Sequence, residues 1–109
     1  MAELLGIFEQ AILLTVLKLA GEAYGRAVLR GVQTALDREV AAGAVYATLD
    51  RLEEKGLLVS HLGEGTAERG GRARRYYQPT ALAISSLNES RAALNKMWRG
   101  AKLATGVTS

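Results

Sequence analysis

Between Leu4 and Ala20 the chain reads LLGIFEQAILLTVLKLA, with apolar residues on every side of a helical projection and only Glu9 and Lys18 charged. That pattern predicts a helix buried on more than one side. It is not a membrane span, because Glu9 and Lys18 leave eight uncharged residues between them, against the roughly 20 that a bilayer demands. It also lacks the basic leading region and the cleavage site of a secretion signal. In a short chain one core hardly covers every side of such a helix. A partner helix is therefore expected, most simply from a second copy of the chain.

Gly21 ends that helix, and a second runs from Ala23 to about Leu36, with Val28, Leu29, Val32 and Leu36 on one face. After a loop near Asp37 to Ala42, a third helix spans about Gly43 to Lys55, stopped by Gly56. Within it Val45, Leu49 and Leu52 fall within about 60° of one another and point inward. The opposite face carries Ala44, Ala47 and Arg51, with Thr48 at its edge. Small residues there permit close approach, whereas a merely solvated face more often carries Glu, Lys and Gln; an ordinary exposed face remains the alternative.

Beyond Gly56 the period changes. LLVSHL, from Leu57 to Leu62, and RARRYYQ, from Arg72 to Gln78, read as the two strands of a β-hairpin joined by a long, turn-rich loop from Gly63 to Gly71. Pro79 is expected to close the ladder and Thr80 to cap a last helix reaching Met97 or Lys102. Leu82, Leu87, Ala93, Leu94, Met97 and Trp98 give that helix a broken apolar stripe. The order is that of a mainly α fold with a small β-hairpin, a winged helix-turn-helix with an added C-terminal helix. The expected division is residues 1–79 for the DNA-binding domain with its wing at about 57–79, 80–103 for the dimerisation helix, and 104–109 for a disordered tail.

Composition narrows the chemistry. The chain has 109 residues, about one domain, and its 14 Lys and Arg against 11 Asp and Glu give a formal charge of +3. That balance suits a polyanionic partner without requiring one. With no cysteine and one histidine, disulfides, thiolate metal sites and a cysteine nucleophile are excluded, and no metal, cofactor or catalytic residue is expected. A cytoplasmic location fits the same reducing chemistry.

The charge is concentrated in RGGRARRYY, residues 69–77, which holds four arginines and no acid. On a wing, Arg69, Arg72 and Arg74 are candidate contacts to phosphate and to a minor groove, since a guanidinium holds two phosphate oxygens and the glycines admit a backbone. Strand alternation puts Arg72 and Arg74 on one face and Arg75 on the other. A solvated loop, an Arg-Gly-Gly RNA tract and a phosphate loop of an enzyme are the alternatives. One copy flanked by strand residues disfavours RNA, and no Walker lysine follows the glycines. A winged helix that binds a protein without touching DNA is the rival from another class.

Four stretches in order, LGIFEQAILLTVLKL, AYGRAVLRGV, GAVYATLDRLEEKGLL and RGGRARRYYQPT, resemble the PadR family of bacterial transcriptional regulators and cover about residues 5 to 80. Where such proteins usually continue the tyrosine pair with Leu-Thr and a later glycine, this chain has Pro79, Thr80 and Ala83. The resemblance implies a dimeric repressor of double-stranded DNA, with the first and last helices building the homodimer and the third helix reading bases. It points to Tyr24 and Tyr46 as DNA contacts, their hydroxyls reaching phosphates unless they are half-buried and satisfied within the protein. Ala44, Ala47, Thr48 and Arg51 form the expected reading face, Arg to guanine and Thr to a thymine methyl. Phe8, Ile12, Leu94, Met97 and Trp98 are candidates for the dimer interface, where Trp98 is either a packing anchor or a wall for a small planar effector.

Overall fold

The computed structural model describes residues 3–65, 70–71 and 73–102, and several helix ends fall at a glycine or at a residue of positive φ, among them Ala20, Asp37 and Gly56. Helix α1 is Ile7–Leu19, followed by a 3-10 turn at Ala20–Glu22; α2 is Gly25–Leu36, α3 Ala42–Glu54, β1 Leu58–Leu62, β2 Arg75–Pro79 and α4 Ala81–Trp98. Asp37 ends α2 in the left-handed region at φ 53°, and Gln33 Nε2 donates to Val40 O at 3.1 Å, pinning the link to α3. Gly56, at φ 80°, ends α3 as its sequence position predicts.

The core joins the first three helices to the root of the hairpin. Ile12, Leu13 and Val16 of α1 meet Val28 and Val32 of α2, Val45, Leu49 and Leu52 of α3, and Leu57 and Leu58, all essentially without solvent exposure. Ile12 is thereby corrected as a dimer-interface candidate: its side chain is spent inside the subunit and offers a partner no surface. Helices α1 and α2 approach so closely that a Cβ on Gly31 would lie 2.5 Å from Thr15 Cγ2.

The strands pair antiparallel from Leu58 opposite Pro79 to Leu62 opposite Arg75. Pro79 closes the ladder, and Thr80 adds one bond beyond it, its N–H donating to Leu57 O at 3.1 Å. On its other edge β2 bridges at Tyr24–Tyr76, and Tyr77 N–H donates to Ala23 O at 2.9 Å. The hairpin is thus bonded to the segment that enters α2. Thr80 caps α4 by accepting from Ala83 N–H at 3.3 Å, while its hydroxyl donates to Gly56 O at 2.7 Å.

Helix α4 departs from the expected stripe. Its inward residues are small, Ala83, Ser86 and Ser90, and Ser90 Oγ accepts from Leu5 N–H at 2.8 Å. Leu82, Leu94, Met97 and Trp98 face outward, as do Ile7, Leu14 and Leu17 of α1. Small residues let α4 lie close to the body near its start, and its far end then runs past it. The radius of gyration, 16.6 Å, exceeds the about 13 Å of a compact chain this long. Among the described residues no helix is long and apolar enough to cross a membrane.

The α1–α2 contact yields a stability prediction. Gly31→Ala gains about 1 kcal/mol of helix propensity but inserts a methyl into a filled contact, which costs about 1–3 kcal/mol, so the variant is expected to be less stable. Thr15→Ser removes the opposing methyl. In that background Gly31→Ala is expected to stabilise by up to about 1 kcal/mol, measured by urea unfolding at fixed protein concentration.

Candidate nucleic-acid interface

Helix α3 separates its residues sharply. Val45, Leu49 and Leu52 are buried, while Gly43, Ala44, Ala47 and Arg51 are exposed. Thr48, expected on the reading face, is 3% exposed and needs correction. It completes an inward row with Val45, Leu49 and Leu52 at i, i+3, i+4 and i+7, a spacing legible in the sequence. Its Oγ1 accepts from Arg51 Nη2 at 3.3 Å, so Thr48 orients the cation instead of meeting a base. The only ion pairs joining described residues to one another are those of Lys55 with Glu3 and Glu9, at 2.9 and 3.1 Å, which leaves Arg51 without a carboxylate. Those two carboxylates raise the Lys55 pKa above its ordinary value, Glu3 foremost.

Tyr46 stands at the margin of this face, 43% exposed. Its ring lies against the first residue of α2, where a Cβ on Gly25 would come 2.8 Å from Cε1. Next to Gly25, Tyr24 is half-buried and carries more contacts than its sequence position suggested. Arg74 Cζ lies 3.9 Å from the centroid of its ring, and its hydroxyl accepts from Arg30 Nη2 at 3.3 Å. The Arg30 hydrogen bond is the leading cause of a lowered Tyr24 pKa, with the Arg74 charge acting in the same sense. The surface therefore continues from α3 through Tyr46, Gly25 and Tyr24 to the wing.

The wing arginines are not equivalent. Arg69 and Arg72 lie outside the described residues. Arg74 precedes β2, which begins at Arg75, and its carbonyl accepts from Gly63 N–H at 2.7 Å. Arg75 turns the other way, donating from Nη1 to Ser60 Oγ at 2.9 Å, while Ser60 donates to Glu53 Oε2 at 2.8 Å. This relay ties the end of α3 to both strands. Tyr76 fills the space between, edge-on to Tyr24 and stacked with His61, each at 5.8 Å between centroids. Tyr77 is buried, and that burial raises its pKa.

Arg30 and the Glu53–Ser60 pair escaped the sequence reading. Arg30 falls six residues from Tyr24, a separation no helical contact rule connects when one partner precedes the helix. Ser60 looked like the polar phase of a strand. Of the interface candidates, Phe8 is half-buried against the core. Leu94, Met97 and Trp98 are exposed and, with Ala101, line a shallow apolar depression. A second groove runs between α1 and α4, lined by Leu14, Leu17, Ile84, Leu87 and Leu94.

The transcriptional-regulator PadR-like family model matches residues 13–83. A transcriptional regulator of Mycobacterium tuberculosis, Rv3488, is 43% identical over 60 residues, 55% of this chain and 52% of its own. The chain thus matches about half the length of that curated relative. The crystal structure of a PadR family transcriptional regulator from Eggerthella lenta superposes with a TM-score of 0.65 at 26% identity, covering 83% of this chain and 75% of that one. A regulator structure from Thermoplasma acidophilum, at 18% identity, supports the fold alone, with a TM-score of 0.72 over 86% and 85%.

The Ser60 relay should be measurable. Ser60→Ala removes both bonds and leaves Glu53 and Arg75 to solvent or to each other, a loss of roughly 1 kcal/mol. Amide exchange in the hairpin is expected to rise, while the amides of α1 keep their protection; unchanged hairpin exchange would count against the relay.

Proposed function

The chain belongs to the PadR-like family of transcriptional regulators, and from that premise we propose that it is a homodimeric, sequence-specific DNA-binding repressor. One observation carries the reading: the exposed small-residue face of α3, bearing Arg51, continues through Tyr46 and Tyr24 to an arginine-bearing wing. Gly43, Ala44 and Ala47 leave room for α3 to sit deep in a major groove, and Arg51, held by Thr48, is presented to a guanine edge. Tyr46 lies where a groove edge would pass. The wing would follow the backbone with Arg69, Arg72 and Arg74.

Dimerisation would close the apolar surface that the subunit leaves open. Leu14 and Leu17 of α1 and Leu94, Met97 and Trp98 of α4 supply exposed apolar surface along the α1–α4 groove and the end of α4. A twofold through this face would present two α3 helices to half-sites about 10 bp apart, or a multiple of that. Repression would follow from excluding polymerase at an occupied promoter. The depression at Trp98 is where a planar effector would act, provided that it binds one quaternary state more tightly than the other.

The test is an anisotropy titration against the intergenic DNA upstream of the protein's own operon. Submicromolar binding at low salt is expected, and its absence would sink the reading. Ala47→Glu, on an exposed position, should abolish binding and leave the fold intact. Arg51→Ala should relax selection at one base pair by about 1–3 kcal/mol. By sedimentation the chain is expected to run as a dimer, and Leu94→Glu to shift it toward the monomer.

A further inference from the structure

A phenol at the mouth of a helix-turn-helix is ordinarily credited with its hydroxyl. Here the hydroxyl oxygen of Tyr24 already accepts from Arg30, and the face of the ring is covered by the Arg74 guanidinium at 3.9 Å. Neither arginine has an ion-pair partner among the described residues. The charge of Glu22 acts on the Tyr24 hydroxyl in the sense opposite to that of the two arginines. Two cations are therefore gathered on one aromatic ring with no carboxylate in an ion pair with either among the described residues. That arrangement opposes their mutual repulsion only weakly, and it gains most when an anion completes it.

We propose that Tyr24 is a positioning residue, a platform that holds Arg74 across its face and Arg30 at its oxygen so that the two guanidiniums together clamp a backbone phosphate at the foot of the wing. The proposal rests on the DNA-binding reading and deepens it. A stacked guanidinium keeps its N–H edge free, and a planar group held flat loses less rotamer freedom when it binds. Arg74 is held from behind as well, because its carbonyl is bonded to Gly63 N–H. Gly63 in turn must lack a side chain, since a Cβ there would lie 2.7 Å from Tyr76 Cε1. Tyr76 braces the platform edge-on. The wing root is thereby fixed so that the cation, and not the phenol, is the group left facing outward.

Counterion release separates the two roles of the tyrosine, because a neutral hydroxyl on a phosphate releases no cation whereas a guanidinium does. The intact protein is titrated with a mixed-sequence duplex of about 24 bp between about 50 and 200 mM salt, so that phosphate contacts dominate. Arg74→Ala is expected to lower the log-log salt slope by about 1. Tyr24→Leu, which releases both arginines, should lower it by about 1 to 2, and the double variant Tyr24→Leu/Arg74→Ala no further than Tyr24→Leu alone. Tyr24→Phe keeps the ring and with it the Arg74 contribution and releases Arg30 alone, so its slope should fall less than that of Tyr24→Leu. In the free protein, the side-chain protons of Arg74 should show an upfield ring-current shift that survives Tyr24→Phe and disappears in Tyr24→Leu.

Equal behaviour of Tyr24→Phe and Tyr24→Leu, both with the wild-type slope, would overturn the platform in favour of a hydroxyl contact. Additive losses in the double variant, or no ring-current shift in the wild type, would overturn it too. Absence of salt-dependent binding by the wild type would overturn the DNA reading itself, an outcome distinct from the others because the ring-current measurement uses no DNA. Tyr24→Phe and Arg74→Ala keep the test decisive if Tyr24→Leu does not fold.

Discussion

Helix α1 carries more apolar surface than this subunit can cover, and much of the architecture follows from where that surface goes. Ile12, Leu13 and Val16 fill the centre of the core, so α2, α3 and the hairpin are all arranged around one helix. The close approach of α2 depends on Gly31, opposite Thr15. Ile7, Leu14 and Leu17 remain outside. Helix α4, attached through Ser90 to the backbone of Leu5, extends that uncovered surface instead of closing it. Leu87 still packs against the core, but Leu82, Ile84, Leu94, Met97 and Trp98 stay exposed because the fully inward positions are taken by Ala83, Ser86 and Ser90. Exposed apolar area of this kind is unfavourable for a monomer in water, which is why a second copy is the simplest completion.

The same packing sets the geometry of the opposite side. Because Val45, Thr48, Leu49 and Leu52 all turn inward, α3 presents a narrow face whose only long cation is Arg51. Thr48 matters through its oxygen, which fixes the guanidinium, and through its burial, which removes it from contact. At the other end of α3, Glu53 reaches Ser60 and, through it, Arg75. Helix α3 and the hairpin are therefore one mechanical unit. A shift of the hairpin would have to break that relay, the Tyr77–Ala23 bond and the Thr80 contacts together.

Much of this was legible in the chain. Helical periodicity located α1, α2 and α3, Gly56 marked a true stop, and Thr80 a true cap; the change of period after Gly56 announced the hairpin. What the sequence left hidden has a common physical cause. Side chains such as Ile12, Thr48 and the stripe of α4 were assigned by type, yet which face of a helix is inward depends on what packs against it. Thr48 is placed by the sequence at the edge of the exposed face, although its spacing matches the buried row. Ile12 and Leu14 are indistinguishable by composition, and only the position of α2 and α3 decides that one is core and the other surface. Arg30 could not be connected to Tyr24 without knowing that the segment before α2 runs along β2.

The distribution of positive charge carries the last step. A formal charge of +3 on the whole chain says little, because individual cations have different fates. Lys55 is held by two carboxylates at the end of α3, and Arg75 is joined through Ser60 to Glu53. Lys55 is neutralised where it stands, and Arg75 is turned toward the acidic end of α3. Among the described residues Arg51, Arg30 and Arg74 are held by neutral groups, a threonine hydroxyl and a tyrosine. A neutral partner fixes the direction of a guanidinium while leaving its charge unspent. Orientation and electrostatic attraction are thus obtained together at the α3 and wing-root positions, whereas an acidic partner would have supplied the first by cancelling the second.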